Sequence, residues 1–398
     1  MAALCHLHDS SSPEKRLQST EPSLDRLPQE SRSRIYVLGV GNIGRLFAHA
    51  LANKPNPPPI SLIMHRPKST QEWVEAGRKI SITTNGVTNS EGKYKTKKYI
   101  PSPRQIQNHR RSRIRYLIVA TKTTHTVKAL ERIGHLLTPD STILFLQNGM
   151  GTMDQVTSAL KLSATKSERP SYLAAVTSHG LYSQGPYSSV FAGRGSVTIG
   201  EASSPSKKQS RYLLDQIINA PLLNATEVNS KELLLQQLEK LVVNAVINPL
   251  TVIFNCKNGE LFSRPQIRRV MRLLVFEASQ VILSLPELRL GVKKRLFVDR
   301  FSKENLEIKV LDVAEKTAAN TSSMLQDVQQ RRTTEIEAIN GYIIQRGMGL
   351  EIEVRTHQLL RERVLAGRII GEDLDEAKEI FPSYGENSHW VDSVLARL

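Results

Sequence analysis

The 398-residue chain predicts an α/β domain followed by an all-α domain, on three observations. A short apolar strand, Arg34-Ile-Tyr-Val-Leu, opens directly into Gly39-x-Gly41-x-x-Gly44. Further short apolar runs, Ile60–Met64, Tyr116–Ala120 and Thr142–Leu146, recur with helical stretches between them, as strands buried on both faces of a parallel sheet do. Beyond about residue 228 the strand signals fade, and Lys231–Ile247, Arg268–Ser284, Ser302–Asn320 and Thr334–Arg346 all carry helical periodicity. The expected organisation is a tail over 1–33, an α/β domain over 34–228 and a helical domain over 229–398, with the active site in the cleft between the two domains.

In the first βα unit each glycine has a physical task. Gly39 permits the tight turn out of the strand, Gly41 lets backbone approach a pyrophosphate, and Gly44 lets the following helix, expected over Ile43–Asn53, pack close to the sheet. That helix aims its N-terminal N–H groups at phosphates, which makes the unit a Rossmann-type dinucleotide site. Asn56-Pro-Pro-Pro59 forms a loop before the second strand, Ile60–Met64, which ends in His65-Arg66-Pro67-Lys68. An acid at this strand end would take the ribose 2′-hydroxyl of NAD; Arg66 stands there instead and suits the 2′-phosphate of NADP.

Ile80–Val87 reads as a β-rich excursion. Tyr116–Ala120 leads through Thr121-Lys122-Thr123 into a helix over Thr126–Leu137, and Thr142–Leu146 delivers Gln147-Asn148-Gly149-Met150-Gly151. Ligands of doubly wound sheets sit beyond the carboxyl ends of the strands, where Lys122 and Asn148 both lie. Tyr172–Ser178 and Ser196–Gly200 are expected to be two further strands.

Hydrophobic content of 39% with scattered charge suits a soluble globular protein, and Cys5 and Cys256 are too few for a disulfide framework, which points to a reducing compartment. The apolar run Leu241–Phe254 is broken by Asn244, Asn248 and Pro249, against a membrane span. Half of the net charge of +16 lies in residues 91–115, where nine Lys and Arg face one acid, Glu91. Such a run reads as a solvated loop, with RNA or an acidic membrane surface as the alternatives. Residues 1–33 are rich in Ser, Glu and Gln and read as disordered; their acids disfavour mitochondrial import and leave a cytoplasmic location as the expectation.

The helix around Leu238–Leu250 presents Lys240, Asn244 and Asn248 at i, i+4 and i+8, on one side and among Leu, Val and Ile. A lysine and two amides in apolar company need partners or a ligand, because an unpaired buried polar group costs roughly 1–3 kcal/mol. A lysine beside a nicotinamide could donate a proton to a ketone oxygen as hydride arrives at carbon. A polar helix face that wets the interdomain surface is the alternative.

With these segments in view, the chain resembles the ketopantoate reductases, the NADPH enzymes of pantothenate synthesis. The resemblance is carried by Gly39-Val-Gly-Asn-Ile-Gly44, Asn148-Gly-Met-Gly-Thr152, Lys240-Leu-Val-Val-Asn-Ala-Val-Ile-Asn-Pro-Leu250, Asn255-Cys-Lys-Asn-Gly-Glu-Leu261, Ser322-Ser-Met-Leu-Gln-Asp327, Thr334-Glu-Ile-Glu337 and Ile339-Asn-Gly341, in family order over about residues 34–365. It implies Lys240 as general acid and Glu335 as the acid that hydrogen-bonds substrate and supports that lysine. It implies Asn148, Asn244, Asn248, Asn258 and Ser323 as substrate ligands, with Asn320 as a helper. Gly39, Val40, Gly41, Asn42, Ile43, Gly44, Arg66, Lys122, Asn148 and Glu335 would surround NADPH. The implied partner is a small anionic 2-oxo acid, with no metal, no membrane and no nucleic acid, in a monomer or homodimer. Family relatives reduce other 2-oxo acids too, so the reaction is better fixed than the substrate. A non-catalytic NADP-binding protein using its basic segment on RNA is disfavoured by the intact Lys240 and Glu335.

Overall fold

A computed structural model describes residues 33–64, 67–98, 113–162, 169–203, 207–289 and 294–367. Arg66, most of the tail and residues 99–112 and 368–398 therefore lie outside the described residues. The α/β part contains β1 (Ile35–Leu38), α1 (Asn42–Ala52), β2 (Ile60–Met64), α2 (Pro67–Glu75), β3 (Ile80–Thr84), β4 (Val87–Glu91), β5 (Tyr94–Lys98) and β6 (Tyr116–Val119). It continues through α3 (Thr123–Glu131), β7 (Thr142–Phe145), α4 (Thr152–Ala159), β8 (Ser171–Thr177), β9 (Gly180–Gly185), β10 (Ser188–Gly193), β11 (Val197–Ser203), α5 (Lys207–Ile218) and β12 (Ala225–Glu227).

Eight strands form one sheet in the order β12-β11-β8-β7-β6-β1-β2-β5. From β5 to β8 every pairing is parallel; β11 then returns antiparallel to β8. β2, β6 and β7 are buried along their whole lengths, because separate apolar clusters cover the two faces of the sheet. A smaller sheet, β4-β3-β10-β9, packs beside α1. The β9–β10 hairpin was not foreseen. It is tied to the glycine turn by Arg45, whose Nε donates to the Val40 carbonyl (3.0 Å) and whose Nη1 donates to the Ser188 carbonyl (2.8 Å).

The expectation of a loop over 91–115 is corrected. Within it β5 pairs in parallel with β2, from Ile60 opposite Tyr94 to Met64 opposite Lys98. The Tyr94 ring packs edge-on against Trp73 (6.0 Å between centroids), and Ile114 is fully buried at the entry to β6. The strand reads as polar because it is the outer strand of the described sheet. Lysine side chains can lie over apolar surface there, as Lys97 does with its ammonium 5.6 Å from the centroid of the Tyr36 ring.

The helical part begins with α6 (Ser230–Phe254), followed by α7 (Pro265–Leu283), α8 (Pro286–Arg289), α9 (Lys294–Arg300), α10 (Lys303–Lys316), α11 (Ser323–Gln329), α12 (Ile336–Gly349) and α13 (Arg355–Leu365). α6 starts where Asn229 Oδ1 accepts from the Glu232 N–H (3.0 Å) and ends at Asn255 in the left-handed conformation. Its most apolar stretch is 83% buried inside the protein, the mark of a core helix. Leu238, Val242, Val246 and Leu250 of α6 share one apolar core with Met271, Leu274, Phe301, Ile339 and Ile343. The helix runs on past the expected end at Ile247, straight through Pro249.

Candidate active site

The glycine turn has the shape a pyrophosphate needs. Gly39 has φ +96°, and a Cβ there would stand 2.5 Å from the Thr121 nitrogen. A Cβ on Gly44 would stand 2.0 Å from the Gly39 carbonyl oxygen, so helix and strand approach as only glycine allows. A Cβ on Gly41 would meet nothing within 4 Å. Gly41 caps α1 without a side-chain hydrogen bond, which leaves the helix N-terminus facing that open space. Val40, Asn42 and Ile43 are half-buried around it, and Asn42 Oδ1 accepts from the Ser189 hydroxyl (2.9 Å). The residues present thus fit a dinucleotide.

Because β1, β6, β7 and β8 are parallel, their carboxyl ends converge on one edge. At that edge Lys122, Asn148 and the Thr177 carbonyl each meet the helical part. The Asn148-Gly149 loop docks directly on α12. Gly149 has φ +77°, a Cβ on it would lie 2.2 Å from the Ala338 carbonyl oxygen, and the Met150 N–H donates to that same oxygen (2.9 Å).

Glu335, at the N-cap position of α12, does not cap its own helix. Its Oε1 instead accepts from the Thr123 backbone N–H (3.0 Å) and hydroxyl (3.2 Å) at the start of α3, and its Oε2 accepts from Asn148 Nδ2 (3.3 Å). A carboxylate at a helix N-terminus is favoured by the dipole there, so Glu335 joins the two parts of the chain across the cleft. Lys122 faces the helical part as well. Its ammonium pairs with Asp327 of α11, a buried carboxylate that also accepts from Arg332 Nε (3.0 Å). Asp327 and Thr123 were missed as site residues. Asp327 closes the Ser322–Asp327 motif, but nothing in its spacing names a partner 205 residues away.

Lys240 projects from α6, which packs on β8 and β11. Its Nζ donates to the Thr177 carbonyl (2.8 Å). Burial brings the Lys240 ammonium down to about 8, with the charge of Glu335 pulling the other way. Asn244 and Asn248 follow at one and two turns, half-buried and buried respectively. Asn258 is buried beyond the end of α6. Its Nδ2 donates to the Thr317 hydroxyl (2.9 Å), and its Oδ1 is buried without a hydrogen-bond partner. The Asn320 carbonyl accepts from the Asn258 N–H (3.1 Å), so Asn320, itself exposed, braces Asn258 through its backbone. Ser323 is exposed as the first residue of α11, capped by Ser322, whose Oγ accepts from the Leu325 N–H (3.1 Å). The junction of the two parts thus gathers Lys240 with its depressed basicity, the carboxylates of Asp327 and Glu335, and a set of amides, tied to the sheet edge through Lys122, Thr123, Asn148 and Thr177.

Residues 35–204 match the family model described as ketopantoate reductase PanE/ApbA, and residues 232–366 match its C-terminal counterpart. Among curated proteins, a ketoisovalerate reductase of Gibberella fujikuroi is 31% identical over 82% of this chain and 82% of its own length. A probable 2-dehydropantoate 2-reductase of Schizosaccharomyces pombe is 32% identical over 78% of this chain and 89% of its own. Among solved structures, a ternary complex of D-mandelate dehydrogenase superimposes with a TM-score of 0.68 at 21% identity, covering 84% of this chain and 97% of the other, a likeness of fold. With the two family models laid in order over the α/β part and the helical part, the chain belongs to the ketopantoate reductase family of oxidoreductases.

Proposed function

We propose that this protein uses NADPH to reduce ketopantoate to pantoate. The observation that carries the reading is Lys240, brought to about 8 by burial, in the same helical part as Glu335, whose carboxylate bonds Asn148 at the carboxyl edge of the sheet. Gly39, Gly41, Gly44 and the N-terminus of α1 would hold the pyrophosphate, Arg66 the 2′-phosphate, and Lys122 and Asn148 the nicotinamide end. The bound cofactor supplies a hydride to C2 of the 2-oxo acid. Lys240 Nζ gives its proton to the keto oxygen, so that a C–H and an O–H bond form and a 2-hydroxy acid results. A general acid works best with a pKa near the working pH, and burial brings Lys240 there. Asn244, Asn248 and Ser323 would hold the substrate carboxylate and orient its keto group. Glu335 keeps Asn148 and the start of α3 in place beside the reacting carbon.

The choice of ketopantoate rests on Asn258 Oδ1, a buried acceptor without a partner. Ketopantoate carries a 4-hydroxyl able to donate to it; ketoisovalerate, the substrate named for the Gibberella relative, has a hydrogen at C3 in place of the whole hydroxymethyl group. Ketoisovalerate reduction is therefore the second reading. The test is dinucleotide oxidation against a panel of 2-oxo acids, with NADPH and NADH in parallel. Ketopantoate should exceed ketoisovalerate in kcat/KM by about tenfold, the worth of one hydrogen bond. NADPH should be preferred, because Arg66 stands where an acid would favour NADH. The reverse order of substrates would select the second reading, and no turnover of any 2-oxo acid would overturn both.

A further inference from the structure

Pro249 lies inside α6, one residue after Asn248. A proline in a helix interior has no N–H for the carbonyl four residues back, and its ring pushes that carbonyl aside. Here that carbonyl belongs to Ala245, which is fully buried and adjoins Asn244. A buried carbonyl without a donor is costly, so something must replace the lost bond. The replacement comes from α12: Asn340 Nδ2 donates to the Ala245 carbonyl at 2.9 Å.

Everything around Asn340 commits it to this task. It is fully buried, and its second amide hydrogen goes to His357 Nδ1 (3.0 Å). The other ring nitrogen of His357 donates to the Leu274 carbonyl (3.0 Å), so the imidazole is neutral and its Nδ1 is an acceptor. His357 is fixed in turn, since its backbone N–H donates to Glu277 Oε2 (3.1 Å) and that of Thr356 to Glu277 Oε1 (2.8 Å) on α7. Asn340 Oδ1, by contrast, is buried without a partner, so the side chain is held in place for its donors. On the far side of the proline, the Thr251 hydroxyl donates to the Asn248 carbonyl (2.7 Å) and is bonded by the Ser322 hydroxyl (2.6 Å).

We infer that Asn340 is a positioning residue for the 2-oxo acid site: it supplies the hydrogen bond that Pro249 removes from α6, and so fixes the turn that carries Asn244 and Asn248. Its bearing on turnover rests on the proposed function, in which those two amides hold the substrate. Its structural half, the exchange of a side-chain donor for a backbone donor, does not.

The test is a double-mutant cycle on the full chain with Asn340→Leu, Pro249→Ala and the pair, read by Tm and by steady-state kinetics. Asn340→Leu leaves the Ala245 carbonyl without a donor, and should lower Tm by on the order of 5 °C and raise KM for the 2-oxo acid about tenfold. KM for NADPH should move less than twofold, which a general loss of packing would not achieve. Pro249→Ala returns the backbone N–H, so in that background Asn340→Leu should cost less than half as much Tm. Pro249→Ala alone should fold and still raise KM for the 2-oxo acid, because the turn relaxes toward a regular helix. An equal Tm loss in both backgrounds would overturn the inference, as would a folded Asn340→Leu with an unchanged KM. If Asn340→Leu fails to fold, recovery of folding in the pair supports the inference, and failure of the pair while Pro249→Ala folds overturns it. A wild type inactive on every 2-oxo acid would strike the proposed function, and the Tm cycle would still decide the Pro249–Asn340 exchange.

Discussion

The glycine turn of β1–α1 and the Lys240 turn of α6 solve recognition in opposite ways. At the turn, side chains are left out: positions 39 and 44 have no room for one, and position 41 opens onto unfilled space. On α6 side chains are put in, at 240, 244 and 248, and the backbone is weakened by Pro249. On the proposed function, a cofactor pyrophosphate common to many enzymes would be met by main-chain groups that need only the right shape. A small 2-oxo acid would be met by amides and an ammonium, which need outside support to hold still. The first half is complete within a dozen residues. The second draws on Thr177 at the end of β8, and on Glu335 at the start of α12 and Asn340 within it, all far from α6 in the chain.

The largest expected break in this contrast is Lys240→Ala, which should lower kcat by roughly 10²–10⁴ while dinucleotide binding, measured by fluorescence titration, persists. In the wild type, kcat should fall as pH rises through about 8, since only the protonated amine can donate. A kcat that climbs across that range would remove Lys240 from the proton-donor role. Next comes Ser323→Ala, expected to raise KM for the 2-oxo acid by roughly 10- to 150-fold, the worth of one hydrogen bond to a charged group, and then Asn258→Ala, expected to raise it about tenfold, the worth of one to the neutral 4-hydroxyl. An unchanged KM in Ser323→Ala would take the carboxylate away from that position, and an unchanged KM in Asn258→Ala would remove the hydroxyl contact. The smallest effect sharpens the turn itself. Gly44→Ala should cost about 1–3 kcal/mol of stability through overpacking against the Gly39 carbonyl. Gly41→Ala should unfold as the wild type does and bind dinucleotide less tightly. Equal Tm losses for the two would mean that position 41 is structural rather than ligand-facing.

Legibility in the sequence followed the same divide. Strands β2, β6 and β7 could be read because burial on both faces leaves an unbroken apolar run, and the glycine turn because its constraints are local. Lys240, Asn244 and Asn248 were legible as one helix side, by period alone. β5 was not, since Tyr94-Lys-Thr-Lys-Lys98 has the composition of a loop and only its pairing with β2 makes it a strand. The tie between Lys122 and Asp327, and the gift of a donor from Asn340 to Ala245, were also out of reach. Both join residues about 100 or more positions apart, and a carboxylate or an amide on a helix looks the same in sequence whether it faces water or a bare carbonyl.

The placement of β5 also gives the basic segment a task that requires no ligand. The outermost strand of the described sheet offers a row of hydrogen-bonding groups on which a second copy could polymerise. Lys95 and Lys97 add positive charge to that strand, so two such strands brought together repel before they can pair. Part of the net charge of +16 then serves colloidal behaviour. Neutral replacements at Lys95 and Lys97 would act first on the concentration the protein tolerates.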